Sequence, residues 1–228
     1  SKQSADRHVD LLFYLPGGDI LGKDSLLYRS SDNGIHWNLS NAGVSENTVQ
    51  FISFSNANAI FVTTGDGLWR SPDGNTWTQV LSGTFTYQYK QSIAVGEAQH
   101  LLADPGGYWN NKILWSEDWG DSFTDITPQN TSPIWFPFVA LSPGDSVFFT
   151  NGEEGILRSA DHGISWEYVI NDNTYATNMV FHPSGRYFVL FETYNKPPYY
   201  SDDFSKTWQP VPNFPGSFEP AALTIGPG

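Results

Sequence analysis

Ser159-Ala-Asp161-His-Gly163-Ile-Ser-Trp166 is an eight-residue stretch whose chemistry specifies a turn and an anchor. Short Ser and Asp side chains hydrogen-bond nearby backbone N–H groups and so compete with regular secondary structure. Glycine admits the positive φ that a tight hairpin demands. The closing indole begins the next strand and buries a large apolar area, which pins the turn to whatever lies beneath it.

Four further segments repeat this stretch. They are Ser30-Ser-Asp32-Asn-Gly34-Ile-His-Trp37, Ser71-Pro-Asp73-Gly74-Asn-Thr-Trp77, Ser116-Glu-Asp118-Trp-Gly120-Asp-Ser-Phe123 and Ser201-Asp-Asp203-Phe-Ser205-Lys-Thr-Trp208. The leading serines are separated by 41, 45, 43 and 42 positions. A period in this range fits one four-stranded propeller blade per repeat. The second copy lacks one residue before its glycine, and the fifth has Ser205 in the glycine's place, so those two turns are expected to differ in shape from the others.

Between the turns the chain alternates apolar runs with polar breaks. Val49–Phe54, Ala59–Thr63 and Leu68–Ser71 read as three strands, as do Phe138–Leu141, Ser146–Thr150 and Ile156–Arg158. Near-continuous apolar runs suit strands covered on both faces. The 9 Trp, 11 Tyr and 16 Phe, set among 21 Gly and 15 Pro, favour many short strands over helices. At the ends, Leu11–Leu15 and Ser25–Arg29 read as a blade short of its innermost strand, and Ala221–Ile225 as an innermost strand without a blade. The expected fold is therefore all-β: a five-bladed β-propeller of four-stranded antiparallel blades, residues 1–228 forming a single domain. The C-terminal strand is expected to join the N-terminal blade and close the ring, which would protect strand edges.

The repeated S-x-D-x-G-x-[ST]-[WF] pattern resembles the Asp-box, or bacterial neuraminidase repeat, found in sialidase-like and sortilin-like propellers and in many non-catalytic ones. The resemblance spans nearly the whole chain. It implies a structural role for Ser30, Asp32, Gly34 and Trp37; for Ser71, Asp73, Gly74 and Trp77; for Ser116, Asp118, Gly120 and Phe123; for Ser159, Asp161, Gly163 and Trp166; and for Ser201, Asp203 and Trp208. Sialidases of this kind hold a substrate carboxylate with three arginines. Here Arg29, Arg70 and Arg158 each directly precede a box serine, an equivalence that argues for structure, and only Arg7 and Arg186 remain. A sialidase arginine triad is thus not found, and catalysis is not the expected role. A glycoside hydrolase would need two carboxylates, with candidates at Glu153, Glu154, Glu192, Glu219, Asp19, Asp66 and Asp104.

The net charge of -13 repels nucleic-acid backbones and anionic headgroups. With no cysteine there is neither a disulfide framework nor a thiolate metal site. The five histidines show no metal-ligand spacing, no apolar run reaches membrane-spanning length, and no cofactor or metal is expected.

In a propeller the box turns share one face. The second-to-third-strand loops and the blade links share the other, where loop aromatics collect: Phe85, Tyr89, Tyr108, Trp109, Trp135, Tyr175, Tyr194 and Phe214 among them. Such rings offer rigid contact area at low entropy cost. Tyr89, Tyr108, Trp109, Trp135, Tyr175 and Tyr194, with the carboxylates of Glu153 and Glu192, are the candidate ligand-binding residues. The expected function is a non-catalytic recognition module for glycan or protein, one domain of a surface, secreted or virion adhesin. An intracellular scaffold that binds a protein subunit is the rival reading, and a glycoside hydrolase a further one.

Overall fold

A computed structural model of the chain describes residues 11–15, 17–23, 26–41, 43–44, 49–54, 59–83, 85, 92–105, 112–129, 138–182, 184–193 and 196–214. The chain divides into two compact units, residues 1–87 and 88–228. The first holds β1 (Leu11–Tyr14), β2 (Ile20–Lys23), β3 (Leu27–Ser30) and β4 (Asn38–Leu39), then β5 (Phe51–Phe54), β6 (Ile60–Thr64), β7 (Gly67–Ser71) and β8 (Thr78–Ser82). The second holds β9 (Ile93–Val95), β10 (Leu101–Ala103), β11 (Leu114–Ser116) and β12 (Thr124–Asp125); β13 (Val139–Leu141), β14 (Phe148–Gly152), β15 (Gly155–Ser159) and β16 (Glu167–Asn171); and β17 (Ala176–Phe181), β18 (Tyr187–Phe191), β19 (Tyr199–Ser201) and β20 (Gln209–Pro210). Each group of four forms one antiparallel sheet in chain order, giving five four-stranded sheets.

Closure of a ring by the chain ends is overturned. The first sheet is complete within residues 11–39, because Leu11–Tyr14 pairs with Ile20–Lys23 in a register running from Leu11↔Lys23 to Tyr14↔Ile20. No vacancy is left for a C-terminal strand, and no sheet among the described residues closes on itself. Residues 221–225 lie outside the described residues. The strand missed in the sequence is Ile20-Leu-Gly-Lys23, with only two large apolar side chains, yet all four of its residues are buried. Gly18 makes the hairpin possible at φ +88, donating its N–H to the Leu15 carbonyl at 2.9 Å. Gly22 leaves room for the Trp37 ring, which a Cβ there would meet at 2.9 Å.

The core follows from strand burial. Second strands are the most enclosed: β6 and β14 are buried along their whole length. In the first unit Leu21, Leu27, Val49, Ile52, Ile60, Val62 and Trp77 pack into one cluster. In the second, Phe138, Phe149, Ile156, Met179 and Val189 form one cluster, and Leu102, Trp115, Val139 and Phe148 lie in another.

The five turns share one bonding scheme. A buried serine hydroxyl donates to the Asp carboxylate and accepts the N–H at the glycine position. Ser116 Oγ donates to Asp118 Oδ1 at 2.8 Å and accepts from Gly120 N at 2.8 Å. Asp118 in turn accepts the N–H and the hydroxyl of Ser122 at 2.8 and 2.6 Å. Asn33, Trp119, His162 and Phe204 take positive φ directly before the glycine position. The second turn differs as its missing residue implies: Gly74 alone has positive φ, and Asp73 accepts from Asn75 and Thr76. The fifth turn does not differ. Ser205 adopts φ +69 where glycine was expected, and its N–H reaches Ser201 Oγ at 2.9 Å. A left-handed serine costs about 1–3 kcal/mol, and it is held by its surroundings, being fully buried with its hydroxyl accepting from Arg158 Nε at 2.8 Å.

That contact explains the arginine that precedes a box. Arg158 joins the fourth sheet to the turn of the fifth and also pairs with Glu167 at 2.8 Å. Arg29 does the same in the first repeat, donating to Asp19 at 2.6 Å and to the Asp73 carbonyl of the next turn at 2.9 Å. The box tryptophan makes a second tie. Trp77 Nε1 donates to the Ser40 carbonyl at 2.8 Å, and Trp166 Nε1 to the Ile126 carbonyl at 3.1 Å.

Two outcomes are expected. Replacing Arg158 with Met should lower stability by about 1–3 kcal/mol, and the loss should shrink in a Ser205→Gly background; equal losses in urea denaturation would refute the tie. The box carboxyls should also set acid tolerance. The Ser122 hydroxyl and N–H hold Asp118 at about 2 against an ordinary 3.8, and Ser165 and Thr207 do the same for Asp161 and Asp203. A depressed native pKa contributes stability that is complete above the unfolded value and lost as pH falls through the folded one. Stability should therefore decline between pH 3.8 and about 2, with carboxyl carbon shifts of the box aspartates titrating at the low end.

Candidate functional site

Of the candidate ligand-binding residues, Glu153, Tyr175 and Glu192 are described, and the second unit brings them together. Tyr89, Tyr108, Trp109, Trp135 and Tyr194 lie outside the described residues. Glu153 sits in the β14–β15 turn, Tyr175 in the link from β16 to β17, and Glu192 directly after β18. The Tyr175 hydroxyl donates to the Glu153 carbonyl at 3.3 Å, and the Tyr175 carbonyl accepts the Glu192 N–H at 3.0 Å. One tyrosine thus bridges two loops that carry exposed carboxylates.

The strands beneath place these loops. Asn151, buried at the end of β14, uses its amide to accept the Ala176 N–H at 2.8 Å and donate to the Ala176 carbonyl at 3.0 Å. This two-point contact ties the fourth sheet to the first residue of β17. Beside it, Asn173 N–H reaches the Glu154 carbonyl at 2.9 Å, and Glu154 N–H reaches the Tyr168 hydroxyl at 3.4 Å.

Among the described residues Lys196 supplies a cation at this edge, and nothing in its sequence context singles it out. Its ammonium pairs with Asp172 and donates to the Thr174 hydroxyl at 2.6 Å. It also lies over the rings of Phe191 and Tyr199, at 4.1 and 4.8 Å from their centroids, an arrangement favoured by the ring quadrupole. Burial pushes the Asp172 carboxyl up, and the Lys196 ammonium with the Thr174 hydroxyl outweighs that and holds it below the usual range. The lysine is thereby consumed internally, and the carboxylates of Glu153, Glu154 and Glu192 have no side-chain partner among the described residues.

Several candidates fall away. Phe85, expected among the loop aromatics, is 1% exposed and belongs to the interior. Asp104 is fully buried, and Asp19 is taken by Arg29. Glu219 lies outside the described residues. Among the described residues no three His, Cys, Asp or Glu side chains gather to hold a metal, and no helix is long and apolar enough to cross a membrane.

Removing the internal cation should expose the electrostatics of this edge. With Lys196→Met, burial acts on Asp172 unopposed by the ammonium, so its carboxyl pKa should rise; an unchanged carboxyl titration by NMR would contradict the pairing.

No family model and no curated protein matches the sequence. The fold has counterparts among solved structures. A GH74 enzyme of Niastella koreensis superposes with a TM-score of 0.67 at 18% identity, over 91% of this chain and 38% of its own. YCF48 bound to D1 peptide gives 0.62 at 12% identity, over 86% and 63%. Virginiamycin B lyase from Staphylococcus aureus gives 0.64 at 14% identity, over 92% and 72%. This chain spans about a third of the length of the GH74 enzymes it resembles. At such identities the likeness is one of fold, an all-β propeller-like arrangement.

Proposed function

We propose that this chain is a non-catalytic recognition module of the Asp-box type, binding glycan through the loop edge built on Glu153, Tyr175 and Glu192. The observation that carries the reading is the Tyr175 bridge: a residue tied by its hydroxyl to one loop and by its backbone carbonyl to another, flanked by carboxylates with no side-chain partner among the described residues, while Lys196 is spent on Asp172 and Thr174. A pyranose has an apolar face to lie on a ring and a rim of hydroxyls for carboxylate acceptors. The acidic setting disfavours anionic ligands. One GH74 enzyme of similar fold, from Xanthomonas campestris, is a xyloglucanase, which is compatible with a polysaccharide ligand here, and the repeated serine–aspartate turn supports the family reading. An extracellular or surface setting accompanies this proposal.

One observation favours a second reading. YCF48, of similar fold, is bound to a peptide, and an acidic edge with a fixed aromatic would also suit a basic protein segment in a scaffold or assembly role. The two separate on a glycan array run beside a peptide library. For the glycan reading, neutral oligosaccharides bind, Tyr175→Ala weakens them by at least about tenfold, and Glu153→Gln with Glu192→Gln weakens them further. Binding of basic peptides alone would move the assignment to the second reading. Release of reducing sugar from xyloglucan or another bound polysaccharide would overturn the non-catalytic part.

A further inference from the structure

The second unit carries another concavity, whose lining does not include Tyr175. It is a groove of about 760 Å³ between the outer strand of the third sheet and the box turn of the fourth, lined by Thr124 to Gln129, His162 to Trp166 and Tyr168. Its volume lies in the range of small-molecule sites, ~300–1,000 Å³.

The corresponding joint in the first unit seats its box tryptophan more deeply. There the shortened second box carries Trp77 inward: it is 6% exposed, bonded to Ser40 and packed among Leu15 and Val44. The fourth box has one more residue, His162, at φ +58 before Gly163. Trp166 is consequently only half-buried, although its N–H is satisfied by the carbonyls of Ile126 at 3.1 Å and Gly163 at 3.2 Å. The indole N–H is occupied, so the ring is what the groove receives. His162 is exposed, yet its imidazole is anchored edge-on to Phe148 with ring centroids 5.5 Å apart.

The lining selects a ligand class. No lysine or arginine is among the lining residues, so an anion has no counter-charge. Two carboxylates line the groove: Asp125, on β12, is paired with Lys112 at 3.0 Å and with the Thr127 hydroxyl at 2.5 Å, and the exposed Glu117 accepts the Trp115 Nε1–H at 3.3 Å. Beside them lie aromatic surfaces and the hydrogen-bonding groups of Thr124, Gln129 and His162. Flat apolar surface next to hydroxyl, amide and carboxylate groups, with no basic side chain in the lining, complements the apolar face and hydroxyl rim of a neutral pyranose. We infer that this groove is a second saccharide-binding site, taking one or two uncharged sugar units independently of the loop edge.

The test uses the full chain with methyl β-glucoside, cellobiose, maltose and lactose, read by tryptophan fluorescence and ligand-observed NMR. At least one sugar should saturate with a Kd on the order of 1 mM. Thr124→Trp, which fills the groove from an exposed position, should weaken that binding about tenfold or more, and His162→Asn, which tolerates the left-handed backbone, should weaken it as well. Circular dichroism verifies both folds, and His162→Asn decides alone if Thr124→Trp is unfolded. Tyr175→Ala should leave this binding unchanged, which separates the groove from the loop edge. Absence of binding by all four sugars overturns the inference. So does binding that Tyr175→Ala abolishes and the groove variants spare, or a groove response to basic peptides alone.

Discussion

The rest of the structure depends on a buried serine hydroxyl that donates to an aspartate while accepting a backbone N–H. A hydroxyl of this kind, 0–2% exposed in all five repeats, would be costly to bury without both partners. Satisfied on both sides, it converts a loop of exposed polar residues into a rigid cap over the sheet end. The aspartate then captures a backbone N–H two to four residues on, so the chain re-enters the sheet in a defined register. Every outer strand begins from this geometry.

What the cap holds in place is the neighbour as much as its own sheet. The arginine before a box reaches the next turn, and the box tryptophan reaches the carbonyl beyond the preceding outer strand. Each sheet is thus tied to the next within its unit by a charge-assisted hydrogen bond or an indole N–H, beyond apolar packing. Ser205 shows how far this requirement reaches. A residue whose Cβ disfavours positive φ is kept in that conformation, and the hydroxyl it carries in place of a glycine hydrogen is the acceptor Arg158 uses.

The loop edge and the groove are both consequences of this scaffold. Asn151 binds both backbone groups of Ala176, fixing the link that carries Tyr175; Lys196 then fastens the next loop to that link. At the groove the turn is a residue longer than its counterpart at Pro72–Gly74, and Trp166 is less deeply seated than Trp77.

The sequence by itself determined the number and spacing of the repeats, the serine–aspartate turns, most strand positions and the structural place of Arg29 and Arg158. These follow from local chemistry: hydroxyl and carboxylate beside N–H groups, aromatic anchors, apolar runs between polar breaks. Ile20–Lys23 escaped notice because its burial comes from Trp37 and neighbouring strands, not from its own composition, and with it fell the idea that the chain ends share a blade. Glu153, Tyr175 and Glu192 could be suspected from loop position, but their meeting, and the part of Lys196, depend on contacts between loops about 20 to 40 residues apart. Only tertiary structure decides such contacts, because the energy of a cation on two rings and a carboxylate exists only once distant segments are packed together.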